Sequence, residues 1–314
     1  MIGGWKTLCG LLALAGAASP CLSGNVSARQ SGAPDPPTTM FYPRLGSDRV
    51  PGILVLGGAE GGDKWAKAVA AQLSEHGYAA LAEAYFKAPG LDDQLQQIPV
   101  ERLMRGIDQL AADRRVDRRR IAVLGFSKGA EAALLLASFD PRIKAVVAGS
   151  PSDVVWQGID QQQGTVRSSW MSGGHPLPFV SFTNCTDCRS LAALYLKSRE
   201  VPGASAALKT AAIPVEHIRG PILLLASPND AVWPSQAMAE ALKSRLEQHR
   251  FSHAVVLLSY PNGGHFTLGP LAEQDAKSDA DFGGGDVEGV LAARRASWPQ
   301  MLSFLDKAFH YHPR

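Results

Sequence analysis

The pentapeptide Gly125-Phe126-Ser127-Lys128-Gly129 constrains this chain more than any other stretch, because the apolar residues 121–124 lead into it and the helix-forming residues 130–138 lead out. Strand, sharp turn and helix in that order describe a nucleophile elbow, in which a serine on the turn is pushed out above a sheet. So tight a turn strains the serine backbone and leaves no room for side chains two residues to either side, which accounts for the glycine at both outer positions. The bare Gly-x-Ser-x-Gly pattern is a weak signal: with 31 Gly in the chain, chance supplies it about 0.2 times. The flanking runs carry the reading.

They also fit a longer rhythm. Residues 53–56 are purely apolar, residues 57–62 read Gly-Gly-Ala-Glu-Gly-Gly, and residues 64–75 are amphipathic. That is strand, glycine-rich loop, helix. Gly77 ends the helix and residues 78–84 make the next strand. Residues 100–112 then carry Leu103, Ile107 and Leu110 at helical spacing, followed by the elbow strand and helix and a strand at 143–148. Further strands fall at 221–226 and 254–260, with a helix at 235–248 between them. This alternation predicts an α/β fold, a mostly parallel sheet covered by helices on both faces. With the elbow, it is the α/β-hydrolase fold, occupying residues 38–314 as one domain. Residues 151–215 break the rhythm with Gln, Ser, Gly, Pro and scattered aromatics. They read as a cap-like insertion over the carboxyl ends of the strands.

Residues 1–28 hold a single charge, Lys6, before an apolar stretch and small residues ending in Val26-Ser27-Ala28. This is the pattern of a secretory signal peptide cleaved after Ala28, and residues 29–37 read as a flexible lead-in. The expected location is outside the cytoplasm, periplasmic or secreted; a lipid anchor on Cys21 is disfavoured by the residues preceding it. Loss of Lys6 from 31 basic residues leaves 30 against 29 acidic. So balanced a charge gives no reason to expect nucleic acid or an anionic membrane as partner. The basic cluster Arg114-Arg115 and Arg118-Arg119-Arg120 reads as a solvated turn before the elbow strand. No second Cys or His pair stands at metal spacing beside Cys185 and Cys188, so in an oxidising compartment these two are expected to form a local disulfide and no metal is expected.

A serine hydroxyl needs a base within reach and an acid to orient the base, and in this fold both follow later strands, acid before histidine. Asp230 follows the strand ending at Ala226, and His265 follows the strand ending at Tyr260 on a glycine-bearing loop. One rival acid, Asp153, follows the strand after the elbow helix. Oxyanion donors are expected from the Lys128 backbone N–H and from Ala59 or Glu60 in the glycine-rich loop. That loop lacks the spacings of a nucleotide-binding motif, and no cofactor is expected.

The elbow, written out as residues 124–131, resembles the C-terminal catalytic domain of the acyl-CoA thioesterases and bile acid-CoA:amino acid N-acyltransferases. So do Gln97-Ile98-Pro99-Val100-Glu101, Ser152-Asp153-Val154-Val155-Trp156-Gln157-Gly158, Asp230-Ala231-Val232-Trp233-Pro234-Ser235 and Tyr260-Pro261-Asn262-Gly263-Gly264-His265. The resemblance implies a serine hydrolase of activated acyl groups with Ser127, Asp230 and His265 as its triad. It also favours hydrolysis over transfer to an amine, because the amino acid acyltransferases of the family use cysteine at the nucleophile position. Two features depart from the family pattern: about 20 residues stand where a β-sandwich domain usually precedes, and the chain carries the export signal. The expected substrate is an acyl thioester or a carboxylic ester. The alternatives are an exported esterase or acyltransferase on substrates without coenzyme A, and a catalytically silent binding protein.

Overall fold

The computed structural model describes residues 37–43, 49–159, 164–269 and 275–312. The signal-peptide and most of the lead-in readings lie outside the described residues. Along the chain the elements are β1 (Thr38–Phe41), β2 (Val50–Leu56), α1 (Lys64–Glu75), β3 (Ala79–Glu83), β4 (Ile98–Pro99), α2 (Val100–Ala112), β5 (Val116–Phe126), α3 (Lys128–Phe139), β6 (Ile143–Gly149), β7 (Trp170–Ser172), β8 (His175–Pro176), α4 (Leu191–Glu200), α5 (Ala204–Ala211), β9 (Ile222–Ala226), α6 (Ser235–Gln248), β10 (Val255–Ser259), α7 (Ala276–Gly283) and α8 (Val287–Phe309), with a 3-10 turn at Val215–His217.

Seven strands form the main sheet in the order β1-β3-β2-β5-β6-β9-β10. All its pairings are parallel except β1 against β3. The continuous apolar runs follow from burial on both faces, because alternate residues of one strand point to opposite sides. Leu54 and Leu56 join the core under α2, α3 and α6, whereas Ile53 and Val55 join the core under α1 and α8. This is the α/β-hydrolase architecture expected from the elbow and the strand–helix rhythm.

Two features differ from the reading of the sequence, and the insertion gains detail. The elbow strand begins at Val116, so Arg118 to Arg120 lie within β5 rather than on a turn before it. Arg120 still finds partners at the protein rim, pairing with Asp117 at 2.8 Å. Past β10 the chain adds α7 and the long α8, whose buried Val290, Trp298, Met301, Leu305 and Phe309 recur every three to four residues or multiples of them. That periodicity is present in the sequence. Residues 151–215 have their own packed centre, in which Val154, Trp156, Val180, Tyr195 and Ala211 meet Trp233 and Met238 of the main body. Among the described residues no helix is long and apolar enough to cross a membrane.

One core residue breaks the burial rule. Glu83, at the end of β3, is 0% exposed, and neither carboxylate oxygen has a hydrogen-bond partner. Burial pushes its carboxyl well above the usual 4.5, only partly opposed by Arg105 and Arg102. The folded state therefore holds a proton that the unfolded chain releases above about pH 4.5, so this group's favourable contribution is full at low pH and declines as pH rises toward the folded value. Replacing Glu83 by Gln is expected to flatten the fall in urea midpoint as pH rises above the ordinary carboxylate value of about 4.5. An unchanged slope in the variant would remove Glu83 as its source.

Candidate active site

The elbow is built as its glycines require. Ser127 sits at φ 55°, ψ −121° between β5 and α3, a conformation L-residues rarely adopt. Its N–H donates to Gly149 O at 2.9 Å, which extends the β5–β6 ladder into the turn. A Cβ on Gly125 would stand 2.0 Å from Gly129 O, and one on Gly129 would stand 2.2 Å from Gly57 O. No side chain fits at either place. The turn thus brings three backbone segments into contact and leaves the serine hydroxyl at the carboxyl end of the sheet.

Two later strands deliver its partners. His265, on the loop after β10, places Nε2 at 2.9 Å from Ser127 Oγ. Its Nδ1 lies 2.8 Å from Asp230 Oδ2, on the loop after β9. The second Asp230 oxygen accepts the N–H groups of Val232 at 2.9 Å and Trp233 at 3.1 Å, so the carboxylate is fixed before it meets the imidazole. With Nδ1 facing a carboxylate and Nε2 facing a hydroxyl, the partners select the tautomer that carries its proton on Nδ1. Ser150 Oγ donates to the His265 carbonyl at 2.5 Å. The ring is flanked by Phe126, Phe266 and Trp233, with centroids at 5.1, 5.4 and 5.9 Å. His265 is 2% exposed, so the chain of hydrogen bonds lies where little water screens it.

Asp153 is elsewhere. Its two oxygens each accept from Arg199 of α4 at 2.8 Å, a bidentate pair within the insertion. The structure therefore brings together Ser127, His265 and Asp230, and gives Asp153 a different partner.

The glycine-rich loop passes beside the serine: a Cβ on Gly58 would lie 3.2 Å from Ser127 Cβ. Tyr85 braces this loop by donating to Gly57 O at 2.7 Å. The Glu60 side chain folds back so that Oε1 accepts the Gly58 N–H at 2.9 Å. The Glu60 backbone N–H is held by the same carboxylate, so of the two expected loop donors Ala59 rather than Glu60 is the candidate for an oxyanion, together with the Lys128 amide in the first turn of α3. Burial raises the Glu60 carboxyl above its ordinary value.

The Lys128 side chain turns away into the protein, a feature with no local signal in the sequence. Its Nζ lies 2.8 Å from both oxygens of Glu131 and 2.8 Å from Ser169 Oγ. Glu131 in turn accepts from Trp170 Nε1 at 2.7 Å and Trp156 N at 3.3 Å. Burial lowers the lysine and raises the glutamate from their ordinary values, while their mutual attraction opposes both changes. This pair ties the insertion, through Trp156, Ser169 and Trp170, to the helix that carries the elbow.

Cys185 and Cys188 are joined in a disulfide with Cα atoms 5.5 Å apart, just before α4.

Fold and site together define an α/β-hydrolase-fold protein with a buried Ser–His–Asp hydrogen-bonded chain. The chain belongs to the BAAT / acyl-CoA thioester hydrolase C-terminal family, whose model matches residues 98–311. It is 28% identical to peroxisomal succinyl-coenzyme A thioesterase of Mus musculus over 277 residues, 86% of this chain and 62% of that protein. It is 27% identical to acyl-coenzyme A amino acid N-acyltransferase 1 of Mus musculus over 285 residues, 85% of this chain and again 62% of the relative. The chain thus spans less than two thirds of the length of these relatives. Among solved structures it is similar to a Mycobacterium tuberculosis puromycin-hydrolyzing peptidase, with TM-score 0.55 and 15% identity over 89% of this chain and 39% of that one. A dienelactone hydrolase-like promiscuous phosphotriesterase from metagenomic libraries matches with TM-score 0.54 and 19% identity, over 87% and 92%. At these identities the likeness is one of fold.

Proposed function

We propose that this protein is a serine hydrolase that cleaves acyl thioesters or carboxylic esters through an acyl-enzyme. The observation that carries the reading is the unbroken chain from Ser127 Oγ to His265 Nε2 at 2.9 Å and from His265 Nδ1 to Asp230 at 2.8 Å. Ser127 attacks the acyl carbonyl as His265 takes the hydroxyl proton, and Asp230 stabilises the imidazolium that forms. The amides of Lys128 and Ala59 receive the oxyanion. His265 then returns the proton to the leaving thiol or alcohol. Water, deprotonated by the same imidazole, attacks the acyl-enzyme and frees Ser127. Family membership supports an activated acyl group as substrate, and serine rather than cysteine at 127 supports hydrolysis. The residues 1–28 support export, and with it an ester or thioester met outside the cytoplasm.

The test is turnover of a panel of acyl-CoA thioesters and p-nitrophenyl esters of graded chain length. Preference for thioesters supports the family's chemistry, and preference for plain esters identifies an esterase. Faster product formation with an added amine or alcohol marks a transferase, whereas silence on the whole panel leaves a binding protein.

The two acids are separable in the same assay. Asp230→Asn is expected to lower kcat about 10⁴-fold, the loss that follows when the orienting carboxylate is neutralised. Asp153→Asn, which breaks only the pair with Arg199, should leave kcat within a few-fold and reduce the stability of the insertion. The reverse ranking would move the acid to the earlier strand.

A further inference from the structure

We propose that Gly283-Gly284-Gly285, the last residue of α7 and the turn leading to α8, is a positioning clamp that holds the acid loop and the histidine loop in register, with Gly284 its central residue. The proposal rests on the triad reading above. The Gly283 carbonyl accepts the N–H of Ala231, the residue after the acid, at 2.9 Å and the N–H of His265 itself at 2.9 Å. A carbonyl has two lone pairs, and here each is given to a different catalytic loop.

The next glycine closes on both loops at once. Gly284 stands at φ 81°, ψ −179°, and a Cβ there would lie 2.2 Å from Asn229 O, one residue before Asp230. A Cβ on Gly264, one residue before His265, would lie 2.0 Å from Gly284 O. Backbone atoms of residue 284 therefore touch the residue preceding each of the two partners. Asp286 N then donates to Asn262 O at 3.3 Å, a further tie to the histidine loop.

The clamp is itself anchored. Asp286 caps α8 by accepting from Gly289 N at 2.7 Å, and Arg294 of α8 pairs with Asp279 of α7. Met301, Leu305 and Phe309 hold α8 against the sheet. A loop-to-loop distance of a few ångströms is in this way referred to a 23-residue helix packed on the core, the kind of rigid support that catalytic geometry needs. A side chain at 284 has to displace the 229–231 segment, and misplacing a reacting group by about 1 Å costs on the order of 100-fold in rate.

The experiment compares Gly284→Ala with Gly174→Ala. Gly174 also has positive φ, +80°, but nothing lies within 4 Å of where its Cβ would stand. It therefore reports backbone strain without displacement. Gly284→Ala is expected to lower kcat about 100-fold with KM nearly unchanged. It should also shift or abolish the downfield proton resonance of the His265 imidazole N–H, identified by its loss in Asp230→Asn. Gly174→Ala should change neither. Wild-type kcat and resonance in Gly284→Ala, or equal losses in Gly174→Ala, would overturn the proposal.

Should Gly284→Ala fail to fold, amide exchange in the wild-type protein decides. Ala231 and His265 share one acceptor, so equal protection of the two amides relative to their intrinsic exchange rates supports the clamp, and clearly unequal protection refutes it. A wild-type protein that shows the resonance yet hydrolyses none of the panel separates failure of the enzymatic reading from failure of the clamp.

Discussion

Ser127→Ala is expected to leave a folded protein whose kcat falls on the order of 10⁶-fold, the loss seen when a triad nucleophile is removed and only binding and oxyanion stabilisation persist. The substitution is clean for a structural reason. Alanine keeps the Cβ and hence the strain at φ 55°, and the bond from residue 127 N to Gly149 O involves only backbone. What disappears is the oxygen 2.9 Å from His265 Nε2. Ser127→Gly is the useful companion, because glycine relieves the strain and should raise stability by about 1 kcal/mol while being equally inactive. Turnover by Ser127→Ala at the wild-type rate on the substrate panel would remove this serine as nucleophile.

Lys128→Met is expected to destabilise the protein by about 3–5 kcal/mol, the cost of leaving a buried charge without its partner. Glu131 is 0% exposed and Lys128 2% exposed, so neither can turn to water without local unfolding. Glu131 keeps its bonds from Trp170 Nε1 and Trp156 N, but these two neutral donors do not balance a full negative charge. The double variant Lys128→Met, Glu131→Gln removes both charges and retains an acceptor for Trp170. It should therefore be more stable than Lys128→Met alone, a strongly non-additive pair. Urea denaturation of Lys128→Met, Glu131→Gln and the double variant measures this, and a loss below about 1 kcal/mol for Lys128→Met would mean that the pair is not the tie between elbow helix and insertion. Because the Lys128 backbone amide survives the change, the effect on turnover should fall mainly on KM, through the register of the insertion.

Much of the site can be read one residue at a time, for local reasons. Ser127 is announced by glycines that the turn cannot do without. Asp230 and His265 are announced by their places after apolar runs, since loops at the carboxyl ends of parallel strands are where this architecture collects its chemistry. Helix α8 has an equally plain period and falls within reach of the same reasoning, although the elements inferred from sequence end at residue 260. The small sheet of β4, β7 and β8 is different. Its strands are two or three residues long and join residues 98–99 to 170–176, too short for a pattern to form.

The sequence by itself determined the strands β2, β3, β5, β6, β9 and β10 and the helices α1, α2, α3 and α6 between them, the strained serine, and the two loops that carry its partners, because each depends on residue types within one or two turns of chain. Only the tertiary structure separates the surroundings of Asp230 and Asp153, since it sets Asp230 beside His265, 35 residues away, and gives Asp153 to Arg199, 46 residues away. The same holds for Lys128, whose place beside Ser127 suggests exposure but whose burial with Glu131 against Ser169 and Trp170 makes it a fastening, and for the Gly283 carbonyl shared by two loops. These depend on which distant groups meet and how much water is excluded when they do, and no local pattern encodes either.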